Sequence, residues 1–122
     1  MVCILIIDDS AFQRKIISSV LNGENHTVIT ATNGHEGLKK AVQEKPDLII
    51  TDLLMPEMDG GTFLSEVKKA GLTVPVIILT SDVQKVTRDR CLALGACGVL
   101  NKPVNREALL ELIRTALSGR VT

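Results

Sequence analysis

Five times along its length this chain runs a short, uninterrupted aliphatic segment into a stretch whose apolar residues recur at helical spacing. The aliphatic runs cover residues 2–7, 26–31, the approach from Asp47 to Asp52, 74–79 and 98–100. Runs that are apolar at nearly every position, instead of at every second one, suit strands covered on both faces. Right-handed crossovers between such strands place the helices over a parallel sheet, alternately on its two sides. The expected fold is therefore a doubly wound α/β sandwich of five parallel strands and five helices.

Local signals mark where the helices begin and end. The first is expected over 11–21, with Phe12, Ile16, Ile17 and Val20 on its apolar face, Asp9 or Ser10 as cap and Gly23 as stop. Asn33-Gly34 opens the second, which carries Leu38, Ala41 and Val42 and ends before Pro46. The third runs over 61–70 with Phe63, Leu64 and Val67 inward, and Gly71 closes it. Ser81 or Asp82 is expected to cap a fourth that passes through Val86 and Leu92 to Leu94. Asn105 caps the last, whose stripe is Ala108, Leu109, Leu112, Ile113 and Ala116.

At 122 residues the chain reads as one domain, spanning 1–122. Lys+Arg 14 balances Asp+Glu 14, which leaves no electrostatic case for nucleic acid or an anionic membrane as partner. No window approaches the roughly 18 apolar residues of a membrane span, and a cytoplasmic location is expected. Cys3, Cys91 and Cys97 form no CxxC pair and are odd in number, so neither a disulfide framework nor a zinc site is indicated. Cys3 and Cys91, among apolar neighbours, read as small core residues. His26 and His35 lie away from the carboxyl ends of the strands and receive no role.

Ligands of doubly wound sheets bind beyond those carboxyl ends, where strand order reverses. Here the strands end in Asp8 and Asp9 (first), Asp52 (third), Thr80 (fourth) and Lys102 (fifth). If the order is 2-1-3-4-5, the first and third strands are neighbours at the reversal, and Asp8, Asp9 and Asp52 converge there. Three such carboxylates repel one another unless a cation is present. Hard oxygen donors with room for water suit Mg²⁺, with a backbone carbonyl from the loop after Asp52 completing the set. Lys102 and Thr80 bring a positive charge and a hydroxyl to the other side of Asp52, as an incoming phosphoryl group requires. Each residue alone has a bland reading: Asp8 or Asp9 as a helix cap, Thr80 in a turn, Lys102 in solvent. Placement of all of them at strand ends favours the site.

Taken together, Asp8-Asp9, Asp52 followed by Met55-Pro56 and Asp59-Gly60, Thr80-Ser81, Gly95-Ala96 and Lys102-Pro103 resemble the motif set of bacterial two-component response-regulator receiver domains, the single-domain chemotaxis type included. The resemblance spans essentially the whole chain and implies the 2-1-3-4-5 order. It implies that Asp52 accepts a phosphoryl group from a phosphohistidine on a sensor histidine kinase or phosphotransfer protein. Asp9 and Asp52 would then ligate Mg²⁺ directly, the main-chain carbonyl of Leu54 would join them, and Asp8 would act through water. Lys102 would pair with the phosphoryl oxygens, the Thr80 hydroxyl would move towards them, and Lys102-Pro103 would be a cis peptide. The implied output is a changed protein-binding face made by the fourth helix, fifth strand and fifth helix, on a monomer or weak dimer.

Two positions depart from the family's habit. Leu54 stands two places after the acceptor, where a polar side chain often orients the hydrolytic water, and Val99 replaces the usual switching aromatic of the fifth strand. Thr80 is nonetheless expected to couple to the fourth helix. Competing functions are a phosphorylation-independent binding module, a nucleotide binder and a magnesium phosphohydrolase. A nucleotide binder wants a Gly/Ser/Thr-rich loop where Asp8-Asp9 stands, and a phosphohydrolase wants a second carboxylate at Leu54. Turnover of a small substrate is not expected.

Overall fold

A computed structural model describes residues 2–118. Its elements alternate as β1 (Val2–Ile7), α1 (Ala11–Asn22), β2 (His26–Ala31), α2 (Gly34–Glu44), β3 (Leu48–Asp52), α3 (Gly60–Lys69), β4 (Val76–Thr80), α4 (Lys85–Ala93), β5 (Gly98–Asn101) and α5 (Arg106–Ser118). All pairings are parallel and the order is β2-β1-β3-β4-β5, as expected.

The unbroken aliphatic runs are explained by where alternate residues go. Leu5, Ile7, Ile49 and Ile78 face one layer, packed with Ala41, Phe63, Leu64, Val67 and Cys91 of α2, α3 and α4. Ile4, Ile6, Leu48, Ile50, Ile77 and Leu79 face the other, packed with Ile17 and Leu21 of α1 and Leu109 and Ile113 of α5. Each strand thus serves two cores, and a polar residue would be costly at either phase.

Side chains cap four helices, as expected at Ser10, Asn33 and Asn105, while the Asp59 cap of α3 adds to the expected set. Ser10 Oγ accepts from Gln13 N, Asn33 Oδ1 from Glu36 N, Asp59 Oδ1 from Thr62 N and Asn105 Oδ1 from Ala108 N. Gly71, at φ 76°, follows the end of α3.

Helix α4 departs from expectation. It starts at Lys85 after Gln84, with neither Ser81 nor Asp82 as its cap. The Asp82 carboxylate is already engaged by Gln84 N and the Thr87 hydroxyl, which holds the preceding loop outside the helix. Nor do all the expected apolar faces point inward: Phe12, Val42, Val86 and Leu92 are exposed. Phe12 and Val42 lie roughly 100–140° around their helices from the buried Ile17 and Ala41, too far for a stripe to reach the sheet. In α4 only Cys91 is buried. Cys3 is half-buried, at the start of β1. Strand β4 begins at Val76, two residues later than expected, because Pro75 has no N–H; its carbonyl accepts from Ile49 N just outside the strand.

Candidate functional site

The carboxyl ends of β1, β3, β4 and β5 meet at one rim, and the rim is built from residues that the sheet cannot absorb. Strand β1 ends with Ile7 paired to Ala31 and Thr51; the next residue, Asp8, leaves the sheet with its N–H still donating to Ala31 O at 3.2 Å. β3 delivers Asp52 opposite Leu79. Gly60, the first residue of α3, folds the following loop back by donating to Leu53 O at 2.7 Å. A Cβ at Gly60 would stand 3.0 Å from Asp52 O and 3.0 Å from the Leu53 Cα, so the close return of this loop needs glycine.

Asp8, Asp9 and Asp52 each offer an oxygen within 4.8 Å of the others. They differ in setting. Asp8 is buried, Asp52 half-buried and Asp9 exposed. Asp8 Oδ1 accepts from Ser10 N at 2.9 Å. Lys102 Nζ reaches across from the end of β5 to Asp52 Oδ2 at 3.1 Å and Asp8 Oδ2 at 3.5 Å, with only 16% of its side chain exposed. Burial pushes the Asp8 carboxyl above its ordinary value; the Ser10 N–H and the Lys102 charge pull it back, and the Asp52 charge adds to the rise. The Asp9 carboxylate makes no hydrogen bond or ion pair among the described residues, leaving its oxygens open to a ligand.

This donor set fits a small, hard divalent cation. It consists of carboxylate oxygens of graded exposure, with a lysine on one flank and solvent on the other. The acids could hold such an ion without displacing a buried partner of Asp9.

Thr80 is buried at the end of β4, one strand over from Asp52. Its Oγ1 accepts from Asp82 N at 3.0 Å, so the hydroxyl proton is available to a further acceptor. Asn101 Nδ2 donates to Asp82 O at 2.9 Å, and Lys102 N to Thr80 O at 2.8 Å, which ties the β4–α4 loop to the end of β5. Lys102-Pro103 is cis. Leu54 lies in the loop after Asp52 and is 69% exposed, and Val99 is buried.

Two residues that sequence reasoning passed over belong to this region. Arg14, one turn into α1, donates from Nη1 to Asp8 O at 2.7 Å, and Asn101 clamps the loop after Thr80. Spacing gave a usable signal for the first, since Arg14 follows Asp8 by six residues at the start of a helix; Asn101 becomes visible only once β4 and β5 are paired. Away from the rim, a cavity of about 230 Å³ is lined by Glu24, His26 and residues of α5, and shares no residue with the acid cluster. No helix among the described residues is long and apolar enough to cross a membrane.

Known proteins resemble this chain in sequence and fold. The family model of the response regulator receiver domain matches residues 4–114. A protein-glutamate methylesterase/protein-glutamine glutaminase of Treponema denticola is 43% identical over 110 residues, covering 86% of this chain but 29% of that protein. Protein PilH of Pseudomonas aeruginosa is 36% identical over 118 residues, covering 95% of this chain and 98% of PilH. Among solved structures, the Vibrio cholerae chemotaxis protein CheY4 superposes with a TM-score of 0.89 at 34% identity, over 96% of this chain and 99% of that one. With the acids, lysine and threonine at one rim of a 2-1-3-4-5 sheet and the family match running almost end to end, the chain belongs to the response regulator receiver domains.

Proposed function

We propose that the unit formed by residues 1–122 is a phospho-accepting switch: Asp52 takes a phosphoryl group from a phosphohistidine of a sensor histidine kinase or phosphotransfer protein, and the change is read by a downstream protein. The observation that carries this reading is the Lys102 ammonium seated between Asp52 and Asp8, 3.1 and 3.5 Å away, at the mouth of a three-carboxylate cluster. A solitary structural ion pair has no use for two further carboxylates, whereas phosphoryl transfer needs a nucleophile, a cation site and a fixed positive charge together.

In this reading an Asp52 oxygen attacks phosphorus, the new O–P bond forms as the N–P bond breaks, and the imidazole leaves with its electron pair to take up a proton. Asp9, Asp52 and the main-chain carbonyl of Leu54 would hold Mg²⁺, with Asp8 acting through water. When bound, that ion offsets the charge of the acids and of the phosphoryl oxygens. Lys102 stays within reach of Asp52 and stabilises the transferred group. Thr80 offers its free hydroxyl proton to a phosphoryl oxygen. Movement of Thr80 pulls on the Asp82 N–H, and Asp82 holds the start of α4 through Thr87. The signal therefore reaches the α4–β5–α5 face without an aromatic rotamer, consistent with buried Val99. The Leu54 side chain cannot orient a water, so hydrolysis of the acyl phosphate is slow. The reading includes a cytoplasmic location and no turnover of small substrates.

The test is intact-protein mass after incubation with acetyl phosphate and Mg²⁺. One phosphoryl group is expected on the wild-type chain, and none with EDTA or in Asp52→Asn. Equal labelling of Asp52→Asn would reject the assignment.

A further inference from the structure

Asp9 has the weakest anchorage of the three acids, although it is the most exposed and has its oxygens open. Its carboxylate has no partner among the described residues, so only the backbone aims it. The peptide joining Asp8 to Asp9 is planar, and fixing its carbonyl fixes the direction in which the Asp9 Cα departs. That carbonyl lies past the last β1–β3 pair, Ile7 with Thr51, and is beyond the reach of the sheet ladder. Its partner is the Arg14 guanidinium at 2.7 Å. The Arg14 backbone is anchored in the first turn of α1, where its amide N–H donates to Ser10 O at 3.0 Å.

From this we infer that Arg14 is a positioning residue for the divalent-cation site. It locks the Asp8–Asp9 peptide so that the Asp9 carboxylate faces Asp8 and Asp52. Every other polar atom of Asp8 is already held: N–H by Ala31 O, Oδ1 by Ser10 N, Oδ2 by Lys102. Arg14 completes the set. The inference rests on the metal-dependent reading above.

Coulomb's law and geometry make opposite demands here, which gives the test its force. Arg14 is a positive charge beside a cation site, so deleting it should tighten Mg²⁺ binding if charge alone mattered. If Arg14 acts by orienting Asp9, deleting it weakens binding; lost outer-sphere hydrogen bonds to metal sites typically cost about tenfold or more. Mg²⁺ titration by isothermal calorimetry on wild type, Arg14→Met and Arg14→Lys decides between them. The expected result is about a tenfold higher Kd in Arg14→Met, with partial recovery in Arg14→Lys, whose ammonium can still donate to the carbonyl. The half-saturating Mg²⁺ concentration for labelling by acetyl phosphate should rise in parallel, while the rate at saturating Mg²⁺ stays near wild type. Melting in EDTA keeps a general loss of folding distinct. An unchanged or tighter Mg²⁺ Kd in Arg14→Met overturns the inference, as does a shared loss in both variants that tracks their melting temperatures. Failure of the wild-type chain itself to bind Mg²⁺ would instead remove the metal-dependent reading.

Discussion

Replacing Lys102 by methionine keeps a flexible side chain of similar length and deletes the ammonium that pairs with two of the three clustered carboxylates. At 3.1 and 3.5 Å, with an effective dielectric of about 20, each pair is worth roughly 5 kcal/mol of gross Coulomb attraction. Most of that is returned by desolvation and by the solvent that reaches the rim. The net loss in Lys102→Met should be about 2–4 kcal/mol at pH 7, at or below the roughly 3–5 kcal/mol seen when one member of a buried pair is removed. The pH dependence has a definite sign. Lys102 stabilises the ionised Asp8 carboxylate, so that contribution is present while Asp8 is charged and is lost as pH falls through its raised value. Burial already holds the Asp8 carboxyl above its ordinary value, and losing the lysine raises it further. Urea unfolding should therefore show a gap between wild type and variant that is full at pH 7 and shrinks as acid protonates Asp8. Circular dichroism must follow it, since the chain has no tryptophan or tyrosine. Mg²⁺ at 100 times its Kd should restore about 2.7 kcal/mol to the variant. Equal stability at pH 7, or a gap that persists undiminished as acid protonates Asp8, would refute the electrostatic account of this rim.

Other outcomes follow from single residues. Gly60→Ala places a methyl group 3.0 Å from Asp52 O, and should cost about 1–3 kcal/mol in thermal unfolding and slow labelling of Asp52. Phe63→Ala, at a fully buried site between α3 and the sheet, should cost about 3–5 kcal/mol in the same assay with the acid cluster unaltered. Leu54→Asn supplies a side chain able to orient water, and should shorten the phosphoryl lifetime severalfold, measured as decay of the phosphorylated mass. The Thr87 hydroxyl and the Gln84 N–H hold the Asp82 carboxyl below its usual range, so this anchor of α4 is intact at neutral pH and is lost as pH falls through that lowered value. Asp82→Ala should accordingly speed amide exchange at residues 85–88 at pH 7 and leave α1 unchanged.

Much of this molecule could be read from the sequence because both strand faces are buried. Continuous runs such as Leu5-Ile6-Ile7 and Ile77-Ile78-Leu79 admit few alternatives, and the residue that breaks each run is the one delivered to the rim. Asp8, Asp52 and Thr80 were legible for that reason. Helix faces were harder. Phe12 and Val42 are apolar but sit to one side of their buried stripes, and in α4 Val86 and Leu92 face solvent, so counting apolar residues overstated how much each helix covers. The start of α4 lies later than expected because Asp82 is a good capping type whose carboxylate is taken by Gln84 N and by the Thr87 hydroxyl of α4. Arg14 left a signal only in its spacing from Asp8, and Asn101 acts on the carbonyl of Asp82 beyond β4, a bond that only strand pairing reveals.

The most direct measurement of the central claim is to find which residue carries the phosphoryl group. Acetyl phosphate and Mg²⁺ treatment followed by borohydride reduction converts an aspartyl phosphate to homoserine, which peptide mass spectrometry locates. Conversion at position 52, with Asp8, Asp9 and Asp59 intact, is the predicted result. Conversion at another aspartate, or a phosphoryl mass gain with residue 52 unmodified, would contradict the account.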